Sequence, residues 1–221
     1  MALDFTTVFS YWQILLKGLG LTLAFTLSSA LLGSVLGFMI CLLRASGKKW
    51  ITWPLTLFVE FFRGTPLLIQ LFWIFFCLPV VFRLQIPPYI SVIIALTAYM
   101  AAITSETFRG AMKSIAGEQH DACIALGLTS AVKVIYVVMP QTLLRSIPPL
   151  LSNVVSLFKE SALISSVGIA DLMFVGQNIS NSTAQPVEFL TATGIIYFCV
   201  AYPLTRLVGL VEGKMLRRFA Y

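Results

Sequence analysis

Read for where charge disappears, the chain divides into five long apolar stretches. Gly18 to Leu43 carries no charged residue, and at roughly 1.5 Å of rise per residue it is long enough to cross about 30 Å of hydrocarbon. Gly64 to Phe82 and Leu84 to Ser105 are also uncharged, divided by Arg83 and the helix-breaking pair Pro87-Pro88. The fourth runs from Ser146 to about Ala170, interrupted by Lys159 and Glu160, and the fifth from Phe189 to Val211, with Arg206 near its end. Unpaired backbone polar groups are too costly in lipid, so each stretch is predicted to be a helix. The expected fold is an all-α integral membrane protein of five transmembrane helices, with residues 1–221 forming one transmembrane domain.

Between the stretches, polarity sets the orientation. Arg44, Lys48 and Lys49 follow the first span, Arg109, Lys113, Lys133 and Arg145 the third, and Lys214, Arg217 and Arg218 the fifth. The other side offers little beyond Arg83, with Lys17 at the mouth of the first span, and Asp171 to Glu188 has no lysine or arginine. Basic loops stay in the cytoplasm, which puts the N-terminus outside and the C-terminus inside. The opening MALDFTTVFSYWQ has no early basic residue and leads into a run too long for a signal peptide, so no cleavage is expected.

Composition agrees with a bilayer as solvent. The chain is 58% hydrophobic and 11% charged, where soluble domains carry about a quarter charged residues. The net charge of +6 reflects topology, not a nucleic-acid face, because it lies in short clusters between apolar runs. Cys41, Cys77, Cys123 and Cys199 are scattered, and the single histidine, His120, argues against most metal centres; no cofactor is expected. No GxxxxGK[ST] loop, HExxH pair or intramembrane serine–histidine pair is present. The chain has no engine of its own, and any uphill transport must draw energy from another subunit.

Two places depart from plain spans. Glu60 and Arg63, at i and i+3, can pair on one helix face or, near the cytoplasmic end, simply snorkel; Gly64-Thr65-Pro66 follows, where a bend is expected. Residues 109–145 are too polar at their start for a sixth span and too long for a turn. They read as two short cytoplasmic helices, one stopping at Gly127 and one capped at Thr129 or Ser130 and ending at Pro140. Such a structured loop suggests a docking surface.

Lys159 and Glu160 are the costly pair. As neighbours on a helix they point about 100° apart and cannot satisfy each other. A central charge facing lipid costs about 2.5–3.5 kcal/mol, which excludes the lipid face for at least one of them. Glu160 shares a stripe with Asn153 and Ser156. The stripe either lines a wet cavity that meets a polar solute, or Glu160 is locked to a basic residue on another helix.

The segments VEFFRGTPLLIQLFW, SETFRGAMKSI, DACIALGLTSAVKVIYVVMPQ and LSNVVSLFKESALISSVGIADL, in this order and spacing, resemble the polar amino acid uptake permeases of ATP-binding-cassette importers. The resemblance implies five helices per subunit and pairing with a second permease, identical or a sister chain. It also implies two copies of an ATPase below, a periplasmic solute-binding protein above, and residence among the lipids of the bacterial inner membrane. Residues 109–145 would be the coupling loop, its usual Glu-Ala-Ala and glycine falling on Asp121-Ala122-Cys123 and Gly127, with Gln119 and His120 just before. Glu160 would meet an amino acid in the central cavity, with Thr65 and Gln70 as neighbours. Glu106 and Arg109 would anchor the loop. The activity implied is alternating-access import, with hydrolysis left to the ATPase. A passive channel, gated without ATP, is the rival reading.

Overall fold

A computed structural model describes residues 4–115 and 117–219, the side chains of His120 and of residues 216–219 excepted. Its regular elements are all helical. A short α1 (Thr6–Ser10) precedes the long α2 (Trp12–Ala45). Then follow α3 (Lys49–Gly64), α4 (Leu67–Phe82), α5 (Pro88–Lys113) and α6 (Gly117–Ala125). The chain ends with α7 (Ser130–Val167), α8 (Leu172–Thr183) and α9 (Pro186–Phe219). Four helices, α2, α5, α7 and α9, are each long and apolar enough to cross a membrane, and α3 with α4 makes up to a fifth span.

The elbow between α3 and α4 turns the chain by 113°. Pro66 supplies no N–H to continue α3, and it holds Thr65 extended, at φ −113° and ψ 146°. The bend expected at Gly64-Thr65-Pro66 is therefore present, and what read as the start of one span is the end of a separate helix. Pro88 opens α5 in its first turn, where a missing donor costs nothing.

The helix after the loop differs from expectation. Thr129 caps it as predicted, its hydroxyl accepting from the Val132 N–H at 3.4 Å. It does not end at Pro140. A π-helical turn over Lys133–Val138 widens the backbone just before the proline, and the helix continues through Pro148 and Pro149 to Glu160. There it tightens into a 3-10 stretch, Ser161–Val167. A second difference lies in residues 171–188, whose polarity read as a connecting loop. Twelve of them form α8, capped by Asp171 and packed against α2 and α9.

A close helix contact joins α2 to α5. Gly33 and Gly37 let the backbones meet at Met100, Ala101, Thr104 and Ser105, and the Thr104 hydroxyl lies 3.0 Å from the Gly33 carbonyl oxygen. Around this seam Phe25, Leu71, Leu96, Leu157 and Ile164 form one buried cluster that ties α2, α4, α5 and α7 together. A smaller cluster of Leu15, Leu172, Ile179 and Phe189 fixes α8 and α9 to the outer part of α2.

Candidate functional site

Glu160 stands where α7 passes from α-helix to 3-10 helix. It is half-buried, and its Oε2 is enclosed with no hydrogen-bond partner among the described residues. The polar neighbour supplied by α5 is Tyr99. All three ion pairs among the described residues belong to Glu106, so none of the described lysine and arginine side chains pairs with Glu160. Lys159 is exposed beside it. Of the rest of the stripe, Ser156 is exposed, and the Asn153 amide donates to the Thr107 hydroxyl at 2.9 Å, tying α7 to α5.

Thr65 and Gln70 meet at the elbow. The Gln70 side-chain amide nitrogen, Nε2, lies 2.7 Å from Phe62 O, 2.9 Å from Thr65 O and 2.8 Å from Thr65 Oγ1. The Thr65 hydroxyl in turn donates to Phe61 O at 2.8 Å. Carbonyls stranded at the end of α3 thus find donors on the first turn of α4. Gln70 is 3% exposed, and its Oε1 is buried without a partner among the described residues. Both side chains hold the bend, and no hydrogen bond among the described residues joins them to the Asn153–Glu160 stripe.

At the basic end of the bundle, Glu106 gathers three arginines. Arg44 Nη1 reaches its Oε1 at 2.6 Å, Arg109 donates from Nε and Nη2, and Arg63 Nη1 stands 3.7 Å away. Arg44 also donates to Thr56 at 3.2 Å. Of the two readings of Glu60 and Arg63, the ion pair is absent among the described residues, and both side chains are exposed, as the snorkelling reading expects. Arg63 turns instead toward Glu106 on α5. Among the described residues no three histidine, cysteine, aspartate or glutamate side chains come together as a metal site.

In the loop, α6 presents Asp121 and Ala122 to the outside, with Gln119 half-buried and Cys123 5% exposed. The side chain of His120 lies outside the described residues. Gly127 ends the helix at φ +66°, a conformation that favours glycine, as the Leu128 N–H reaches back to Cys123 O at 3.0 Å. Two large apolar side chains, Ile124 and Leu126, are 68% and 76% exposed. Arg145 closes the loop at its base, donating from Nη1 to the Ser114 carbonyl at 2.6 Å.

Residues 29–217 match the family model described as binding-protein-dependent transport system inner membrane component. The chain belongs to that family. It is a multi-pass membrane permease, a transport subunit whose ATP hydrolysis belongs to a separate chain. It is similar to the arginine transport system permease protein ArtQ of Bacillus subtilis, 30% identical over 97% of this chain and 98% of that one. The L-cystine transport system permease protein TcyB of the same organism is 31% identical, over 96% of this chain and 90% of its own. The glutamine transport system permease protein GlnP of Escherichia coli is 29% identical, over 97% and 99%. Among solved structures, a chain of an amino acid ABC transporter crystallised with histidines superposes with a TM-score of 0.92, at 30% identity over 97% of this chain and 100% of that one. The MetNI methionine ABC transporter, at 22% identity and a TM-score of 0.71 over 91% and 98%, shares the fold.

Three features of the permease are absent from the expectations drawn from its sequence. Arg44 reads in the sequence as a topology signal and Arg63 as a partner of Glu60 or a snorkelling side chain, yet both converge on Glu106, from positions 62 and 43 residues away in the chain. Asp171 is fully buried, capping α8 through the Phe174 N–H at 2.9 Å. Its capping spacing is a local signal that was available. Ile124 and Leu126 are hidden in a pattern that also suits a buried helix face, and only the fold shows them open.

Proposed function

We propose that the permease carries a polar amino acid across the bacterial inner membrane, through a passage formed between two permease subunits, with Glu160 meeting the solute's ammonium group. The observation that carries this reading is the Glu160 carboxylate, enclosed on one oxygen and without a cationic partner among the described residues. A charge in that position is costly unless something mobile completes it. The named relatives handle arginine, cystine and glutamine, which differ in side chain and share the α-ammonium and α-carboxylate. That common part is what one acid on α7 is suited to meet.

In this reading the chain crosses five times, with α3 and α4 as one broken span, the N-terminus outside and the C-terminus in the cytoplasm. Residues 109–145 form the coupling loop, and α6 seats in one of two ATPase copies with Ile124 and Leu126 as its apolar contacts. A separate binding protein delivers the solute from outside. ATP binding draws the two loops together and opens the passage outward; hydrolysis returns it inward, each state favoured by a different ligand. The exposed apolar tip of α6 supports ATP coupling over a passive channel, which has no use for it.

The test is Glu160→Gln in the assembled complex. Loss of a charge-assisted hydrogen bond predicts a fall in uptake of about ten- to a hundredfold, with the ATPase still copurifying. Uptake equal to that of the unmodified complex would refute the role given to Glu160.

A further inference from the structure

Arg44 and Arg109 spend donors on the Glu106 carboxylate, but Arg63 does not. Its nearest nitrogen is 3.7 Å from Oε2, and none of its five N–H donors makes a hydrogen bond among the described residues. Its side chain is 43% exposed and that of Arg109 is 41% exposed. Glu60, near Arg109, is the other acid at the cluster. Three guanidiniums against two carboxylates leave one positive charge.

Depth indicates what can complete it. Glu106 lies 18 residues beyond Pro88 along α5, about 27 Å at 1.5 Å per residue, close to the roughly 30 Å thickness of the hydrocarbon. The cluster therefore sits at headgroup level, on the side where basic residues gather. Along α3, Trp50, Trp53, Leu57 and Phe61 form an exposed apolar stripe, with the two indoles 76% and 71% open. Indoles in such positions mark a membrane–water boundary. Acyl chains can lie along that stripe while the headgroup reaches the arginines.

We propose that Arg63, with Arg109 beside it, binds the phosphate of an anionic phospholipid headgroup. The planar guanidinium fork matches two phosphate oxygens, and basic pockets between helices on the cytoplasmic side suit anionic headgroups. The assignment to the inner leaflet rests on the orientation proposed above.

The test uses the complex of permease and ATPase, reconstituted in equal phosphatidylcholine and phosphatidylglycerol and then extracted in mild detergent. Native mass spectrometry counts the lipids retained per permease chain. The unmodified complex retains phosphatidylglycerol in preference to phosphatidylcholine. Arg63→Gln lowers that retention about fivefold, and Arg63→Lys keeps part of it. A large excess of inorganic phosphate leaves the bound lipid in place. Equal retention of both lipids by the unmodified complex overturns the proposal, as does unchanged phosphatidylglycerol in Arg63→Gln. Displacement by phosphate alone assigns the site to a free anion and overturns the lipid. If Arg63→Gln fails to assemble, the lipid preference of the unmodified complex still decides. Amino acid uptake, measured on the same preparation, reports on the proposed function separately from the lipid count.

Discussion

A methyl group at residue 37 would stand 2.0 Å from the Thr104 hydroxyl and 2.7 Å from the Ala101 carbonyl oxygen, distances that real Cβ atoms essentially never show. The Thr104 hydroxyl can turn aside, but the Ala101 backbone cannot, so Gly37→Ala must push α2 off α5. Overpacking of this kind costs roughly 1–3 kcal/mol. At Gly20, on the same helix, an added methyl meets nothing within 4 Å. Gly20→Ala is expected to be neutral or to stabilise by up to about 1 kcal/mol through helix propensity. Thermal unfolding of the two variants in detergent separates these outcomes. A Gly37→Ala variant as stable as Gly20→Ala would mean the seam is looser than its distances. The same residue-level reasoning explains the gap at Glu106. Each arginine there is visible in the sequence, but only packing shows that Arg44 and Arg109 are spent on the acid while Arg63 is not.

Among the elements, α8 depends on one buried cap. Asp171 accepts from the Phe174 N–H at 2.9 Å, and the Tyr197 hydroxyl is 3.5 Å from its other oxygen. Burial pushes its pKa up from an ordinary 3.8 to about 6, against the lowering effect of the Phe174 and Met173 N–H groups and of Tyr197. The folded chain therefore holds this proton more tightly than the unfolded one. The stability Asp171 contributes is full below about pH 4 and is lost as pH rises through 6. Asp171→Asn, which keeps an acceptor and cannot ionise, should flatten the fall in thermal stability contributed by this group between about pH 4 and 6, the span between its unfolded and folded pKa values. Asp171→Ala should lose about 1 kcal/mol of capping at either pH. An identical pH slope in the Asn variant would remove Asp171 as its source. Elements were legible where a local rule decided them: Pro66 at the elbow, Thr129 at a cap, Gly127 at a helix end. Residues 171–188 were not, because polarity argued for solvent while contacts of Thr22, Gly18 and Phe189 drew them into the bundle. Pro140 misled for a related reason: the π-helical turn before it absorbs the break.

For the molecule as a whole, the question is how force on a loop reaches a passage. The loop leaves α5 at Ser114 and returns through α7, the helix that carries Glu160. Its two ends are joined by Arg145, whose Nη1 donates to the Ser114 carbonyl at 2.6 Å. On the docking reading proposed above, a displacement of α6 then moves α5 and α7 as one body. Without that tie, part of the motion is spent on opening the base of the loop. Asn153 and Thr107 join the same two helices higher up, at 2.9 Å, so the bundle itself should survive loss of the lower tie. Arg145→Ala is therefore expected to leave assembly and ATP hydrolysis near their unmodified rates while lowering solute moved per ATP a few-fold, the size of one partly solvated charge-assisted hydrogen bond. Arg145→Lys, which keeps the charge and a donor group without the guanidinium fork, should recover part of the ratio. Measuring uptake and hydrolysis on one batch of proteoliposomes makes the ratio independent of how much complex inserts. An unchanged ratio in Arg145→Ala would mean that the loop acts through α6 alone, with α5 and α7 already rigid enough through their own packing.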